Sequence, residues 1–136
     1  MTKQELQERV LAYRLLEARL DGLLKQRDLV LNKISEIQST FVTLDEVEKK
    51  PETILIPLGS EAYAHGNVAD GKIIVEIGAG VALEKSLSEA KEILNKRKSE
   101  LNSAFLDLQR EITRTSQTMQ RLGPEIESMM KESKAE

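Results

Sequence analysis

Cysteine is absent from this sequence, which excludes disulfides and thiolate metal sites and fits a reducing interior. Aromatic residues make up only 3% of the chain while 32% is charged, a composition that builds helix seams rather than a thick globular core. Positive charge is not in excess either. Residues 1–50 carry nine basic and nine acidic side chains, residues 51–85 carry two and five, and residues 86–136 carry nine and nine. The net charge of -3 therefore sits in the middle, and no basic face is offered to a phosphate backbone. No apolar run approaches the roughly 20 residues that a membrane span requires. The opening MTKQELQERV is polar and helical in pattern, unlike a signal peptide. A soluble, cytoplasmic protein is the expectation.

What is present is a heptad. Thr2 and Glu5 form a capping box, so a helix is predicted to begin almost at once. Leu6, Tyr13, Leu20, Ile34 and Phe41 then recur in one row, with Leu16, Leu23, Val30, Ile37 and Leu44 in a row three residues later. Arg9 and Arg27 are the exceptions in this frame. A second box, Ser86 with Glu89, opens another heptad stretch. One of its rows is Leu87, Leu94, Leu101, Leu108, Thr115, Leu122 and Met129, and the other is Lys91, Lys98, Phe105, Ile112, Met119 and Ile126. The two lysines can lay their stems along the seam.

Between the helices the period changes. Residues 53–58, 62–68, 72–77 and 81–84 are short, β-branched or alternating, and punctuated by Pro51, Gly59-Ser60, Asp70-Gly71 and Gly78-Ala79-Gly80. Four strands in two hairpins are predicted. Strands this short with unpaired edges are unstable alone and should pair with other chains. The expected organisation is a single unit, 1–136, with a helical arm over 1–48, two β-hairpins over 51–85 and a second arm over 86–132. An antiparallel pairing in which facing residue numbers sum to 128 sets Leu6 against Leu122 and Leu20 against Leu108; sums of 121 or 135 satisfy the same period, but 128 best suits the distance between Leu44 and Ser86.

Candidate chemistry is sparse. Gly78-Ala79-Gly80 begins like the G-x-G-x-x-G dinucleotide fingerprint, but position 83 is leucine and another strand follows, so a tight hairpin turn is the better reading. His65 is the single histidine and has no acidic or sulfur partner at ligand spacing. No nucleophile, base and orienter can be assembled, so no catalytic residue, metal ligand or cofactor is predicted and the chain is not expected to be an enzyme. Antiparallel arms bring Leu6, Val10, Tyr13 and Leu16 to the same end as Met119, Leu122, Ile126, Met129 and Met130. Methionine adapts to irregular partners, which suits a binding tip. Gly123-Pro124 is expected to kink or fray the last turns there.

The order of helix, two hairpins and helix resembles the α-class subunit of prefoldin in its archaeal form. The specific matches are Ile54-Leu55-Ile56-Pro57-Leu58-Gly59-Ser60 and the run from Val75 through Gly78-Ala79-Gly80 to Ser86. The resemblance implies an α+β, mainly α fold: a long antiparallel coiled-coil hairpin joined by two β-hairpins that contribute to an intersubunit β-barrel platform. It implies a hexamer of two α and four β-class prefoldin subunits that captures unfolded client proteins without ATP and passes them to a group II chaperonin, with no nucleic acid or membrane partner. On this sequence the implied client contacts are Leu6, Val10, Tyr13, Met119, Leu122, Ile126, Met129 and Met130. The implied assembly strands carry Ile54, Ile56, Leu58, Ile73, Val75, Ile77, Val81 and Leu83. Glu61 and His65-Gly66 depart from the more apolar second strand of that pattern. A structural coiled-coil scaffold, and an α-type paralogue forming homo-oligomers or filaments, are the rival readings.

Overall fold

The computed structural model describes residues 2–135. Helix α1 spans Lys3–Glu48 and helix α2 spans Leu87–Ala135. Both start where the capping boxes place them. The Glu5 and Glu89 amides donate to the Thr2 and Ser86 hydroxyls at 3.2 and 3.1 Å, and the Thr2 and Ser86 amides donate back to the two carboxylates. Helix α1 stops because Lys50 takes a left-handed conformation (φ 52°) and Pro51 cannot continue the helix. Strands β1 (Ile54–Gly59) and β2 (Ala62–Gly66) form one antiparallel hairpin, and β3 (Lys72–Gly78) and β4 (Val81–Ser86) form another. A short 3-10 turn, Ala69–Gly71, joins the two hairpins.

The hairpins share one turn geometry. In each, two loop residues have positive φ (Ser60 and Glu61; Ala79 and Gly80) and follow a glycine at φ 116° or 118°, with a register shift just before it. This is a type I′-like connection with a bulge, whose twist matches that of the strands. It settles the glycine run: Gly78-Ala79-Gly80 leads from strand to strand, whereas a dinucleotide cradle leads from strand to helix.

The chain divides into two compact units. In the first, Met1–Asn32 with Asn102–Glu136, the two helices run antiparallel. Arg9 pairs with Glu125 at 2.6 Å, Arg19 pairs with Glu111 at 3.0 Å, and the Tyr13 ring lies beside Gly123. The Arg9–Glu125 and Tyr13–Gly123 contacts correct the expected register by about one heptad, placing Leu20 level with Thr115 instead of Leu108, while the long Arg19 and Glu111 side chains reach each other along the helix axis. Thr115 is accordingly buried. In the second unit, Lys33–Leu101, Lys91 bridges Asp45 at 2.9 Å and Glu48 at 2.8 Å, giving the same shifted register. The reason is local. Helix α1 continues a full turn past Leu44, so its end at Glu48, not Leu44, comes level with the start of α2 at Leu87. Every row position of the α1 heptad from Leu6 to Leu44 is at least half-buried, Arg9 and Arg27 included, with Ile34, Ile37 and Leu44 buried.

Pro124 lies inside α2, which runs on to Ala135, so the frayed end expected at Gly123-Pro124 is not found. A proline costs a helix about 3 kcal/mol, and the burial of Met129 beyond it supplies an offset of similar order.

Candidate functional surfaces

Most of the large apolar side chains of the two hairpins are exposed. Facing pairs in the second hairpin are Val75 with Leu83 and Ile73 with Lys85 on one face, and Ile74 with Glu84 on the other. Val75 is buried and Ile73 half-buried, while Ile77, Val81 and Leu83 are exposed. Arg97 on α2 donates to the backbone carbonyl of Glu76 and so holds β3 beside the helix. In the first hairpin Ile54 is half-buried, and Ile56 and Leu58 are exposed.

Three exposed side chains escaped the sequence reading: Leu55 and Tyr63 in the first hairpin and Ile74 in the second. The signal was there, because Ile54 to Leu58 is apolar without alternation, which marks a strand apolar on both faces. The departure at Gly66 has a steric cause. A Cβ there would stand 2.5 Å from Ile56 Cδ1, so glycine leaves room for the isoleucine to lie across the strand. His65 pairs with Leu55 in the ladder and is exposed.

In the first unit the eight expected client contacts do come together in the antiparallel pairing, but unequally. Leu6, Val10, Tyr13, Met119, Leu122 and Ile126 are half-buried in or beside the seam. Met129 is only 5% exposed, and Met130, next to it, is 46% exposed. Met130 thus presents the most open apolar group of the set.

Electrostatics act at the start of α2, inside the second unit. Hydrogen bonding from the Ser86 side chain, then from its backbone, holds Glu89 below its ordinary pKa of 4.5. The hydrogen bonds to Glu48 and then Asp45 hold Lys91 above its ordinary 10.5. Among the described residues no helix is long and apolar enough to cross a membrane, and no cluster of His, Cys, Asp and Glu is arranged to hold a metal.

Comparison with known proteins matches residues 16–132 to the prefoldin subunit family. Prefoldin subunit alpha of Methanococcoides burtonii is 31% identical over 121 residues, covering 87% of this chain and 88% of the relative. Prefoldin subunit alpha of Pyrococcus horikoshii is 33% identical over 107 residues, covering 75% and 72%. In structure, a chain of the filamentous PFD from Methanocaldococcus jannaschii, determined by cryo-EM, superposes with a TM-score of 0.70 at 24% identity over 88% of this chain and 98% of its own. With two helices flanking two antiparallel hairpins and this likeness over most of its length, the chain belongs to the prefoldin family of chaperone subunits.

Proposed function

We propose that this chain is the α-type subunit of an ATP-independent holdase, which assembles through its hairpins with β-class subunits as two α and four β, captures unfolded chains on its helical arms and passes them to a group II chaperonin. The observation that carries the reading is the exposure of Leu55, Ile56, Leu58, Ile74, Ile77, Val81 and Leu83 on two separate two-stranded ladders. A two-stranded ladder is marginal in water, and free edges with apolar faces are what strand addition from another subunit covers. Met130, with the half-buried residues around it, is assigned to client contact at the arm end. Several weak apolar patches held by one assembly multiply affinity through effective concentration while each stays releasable.

The test uses the complex with a β-class subunit. Removal of the chain after Gln120, or Met130→Ser, is expected to leave the assembled mass intact while weakening suppression of aggregation of a denatured protein. Full suppression by the shortened complex would refute the tip assignment. Large homo-oligomers formed by the chain alone would favour the filament reading over the hexamer.

A further inference from the structure

All of the sulfur in this chain is methionine. Cysteine and tryptophan are absent, and there are four methionines. A peroxide that meets the chain therefore finds no thiolate, the group that ordinarily reacts first, and its oxygen is left to the thioethers. Exposure decides which thioether it reaches. Met1 lies outside the described residues, Met119 is half-buried, Met129 is 5% exposed and Met130 is 46% exposed.

The contrast between the two neighbours has a geometric cause. The pairing that sets Leu20 level with Thr115 also sets Leu6 level with Met129, so Met129 lies on the seam and is buried. Met130 stands one residue on, about 100° round the helix, and leaves the seam. It shares its side of α2 with Ile126, one turn before it, which is half-buried. Both methionines lie inside α2, which runs on to Ala135, so direction round the helix is what separates them.

We infer that Met130 is a reversible oxidation site, at which peroxide turns the open apolar group of the arm end into a polar one. The Met130 sulfur attacks one oxygen of hydrogen peroxide and the O–O bond breaks. The sulfur is oxidised to a sulfoxide, and the peroxide is reduced to water. The return step takes two electrons and two protons from a dithiol, leaving the thioether, a disulfide and a second water. A sulfoxide oxygen accepts hydrogen bonds from water and resists burial against apolar groups, so the modified side chain withdraws from an apolar client segment. The inference rests on the holdase reading of Met130 and adds a control to it. Met129 keeps the change at the surface: its sulfur stays sealed in the seam while the neighbouring one reacts, so the pairing of the helices is preserved.

The test treats the chain alone with hydrogen peroxide, stops the reaction with catalase and then assembles the product with an untreated β-class subunit. Peptide mass spectrometry is expected to find the added oxygen on Met130 first, at a rate about tenfold above that of Met129. Binding of fluorescent, reduced and carboxymethylated α-lactalbumin, a permanently unfolded chain, is expected to weaken about fivefold. Assembled mass and helix content should not change, and methionine sulfoxide reductase with dithiothreitol should restore binding. Met130→Leu keeps the apolar contact without the sulfur and is expected to bind equally before and after peroxide. Oxidation of Met129 as fast as Met130 would overturn the inference, as would loss of capture by peroxide in Met130→Leu. Equal capture by the complex oxidised at Met130 would also overturn it and leave the holdase reading standing. No binding by the untreated complex would remove both.

Discussion

Arg97 on α2 donates a hydrogen bond to the main-chain carbonyl of Glu76 on β3, a side-chain tie between a helix and the second hairpin. A hydrogen bond from a charged donor contributes about 1.5–3 kcal/mol. Arg97→Met keeps the stem and removes the donors. It is expected to leave the far-ultraviolet helix signal unchanged and to weaken association with partner subunits about tenfold or more, read by sedimentation velocity over a dilution series. Unaltered association would show that β3 is held by its burial alone.

Register can be read by chemistry. Leu20→Cys with Thr115→Cys places the two thiols level across the pair, as Arg9–Glu125 and Tyr13–Gly123 set it, and is expected to form an intrachain disulfide on mild oxidation. Leu20→Cys with Leu108→Cys, seven residues and about 10 Å further along α2, is expected to stay reduced. The reverse outcome would restore the pairing that sets Leu20 against Leu108.

The first hairpin turn is improvable. Ser60 and Glu61 both hold left-handed conformations (φ 47° and 62°), where a non-glycine residue is disfavoured by roughly 1–2 kcal/mol. Ser60→Asn with Glu61→Gly supplies the residues that a type I′ turn prefers. The pair is expected to stabilise the hairpin by about 1 kcal/mol, read as slower amide exchange in β1 and β2 within the assembled complex. No change in exchange would mean that the loop conformation differs from the one described.

Acid and base should act on opposite sides of neutrality at the start of α2. The depressed Glu89 carboxyl contributes stability that is present above its ordinary value of 4.5 and is lost as pH falls through the lower folded value. The raised Lys91 ammonium contributes stability that is present below 10.5 and is lost as pH rises through the higher folded value. Glu89→Gln should therefore lower Tm at pH 7 and converge with the unaltered chain in acid. Lys91→Met should converge with it only in strong base. A constant offset at every pH would contradict both assignments.

Much of this was legible before any coordinates. Thr2 with Glu5 and Ser86 with Glu89 announced both helix starts because capping is a local exchange of hydrogen bonds, and the heptad rows marked the seam from Leu6 to Leu44 because burial must follow the helical period. Gly59-Ser60 and Gly78-Ala79-Gly80 marked the turns for the same local reason. The register was harder: the first arm ends at residue 48, as the sequence indicates, but a heptad period allows pairings seven residues apart, and the choice between them rests on tertiary contacts such as Arg9 with Glu125. Pro124 is expected from sequence to kink or fray the last turns because its cost is local, whereas the burial of Met129 that offsets it is tertiary. Leu55, Tyr63 and Ile74 were missed by following one face of each strand.

Adjacent methionines divide stability from capture. Met129→Ala removes a buried side chain and is expected to cost about 2–5 kcal/mol of the local pairing. Met130→Ser alters an exposed one and is expected to leave Tm within about a degree while weakening client binding. The opposite split would exchange their roles.

The most direct measurement combines assembly and capture in one sample: mix the chain with a β-class prefoldin subunit, determine the mass by light scattering, and follow aggregation of a denatured protein without nucleotide. The account predicts a discrete complex of two α and four β subunits that keeps the denatured protein soluble. A complex of that mass that leaves aggregation unchanged would contradict it.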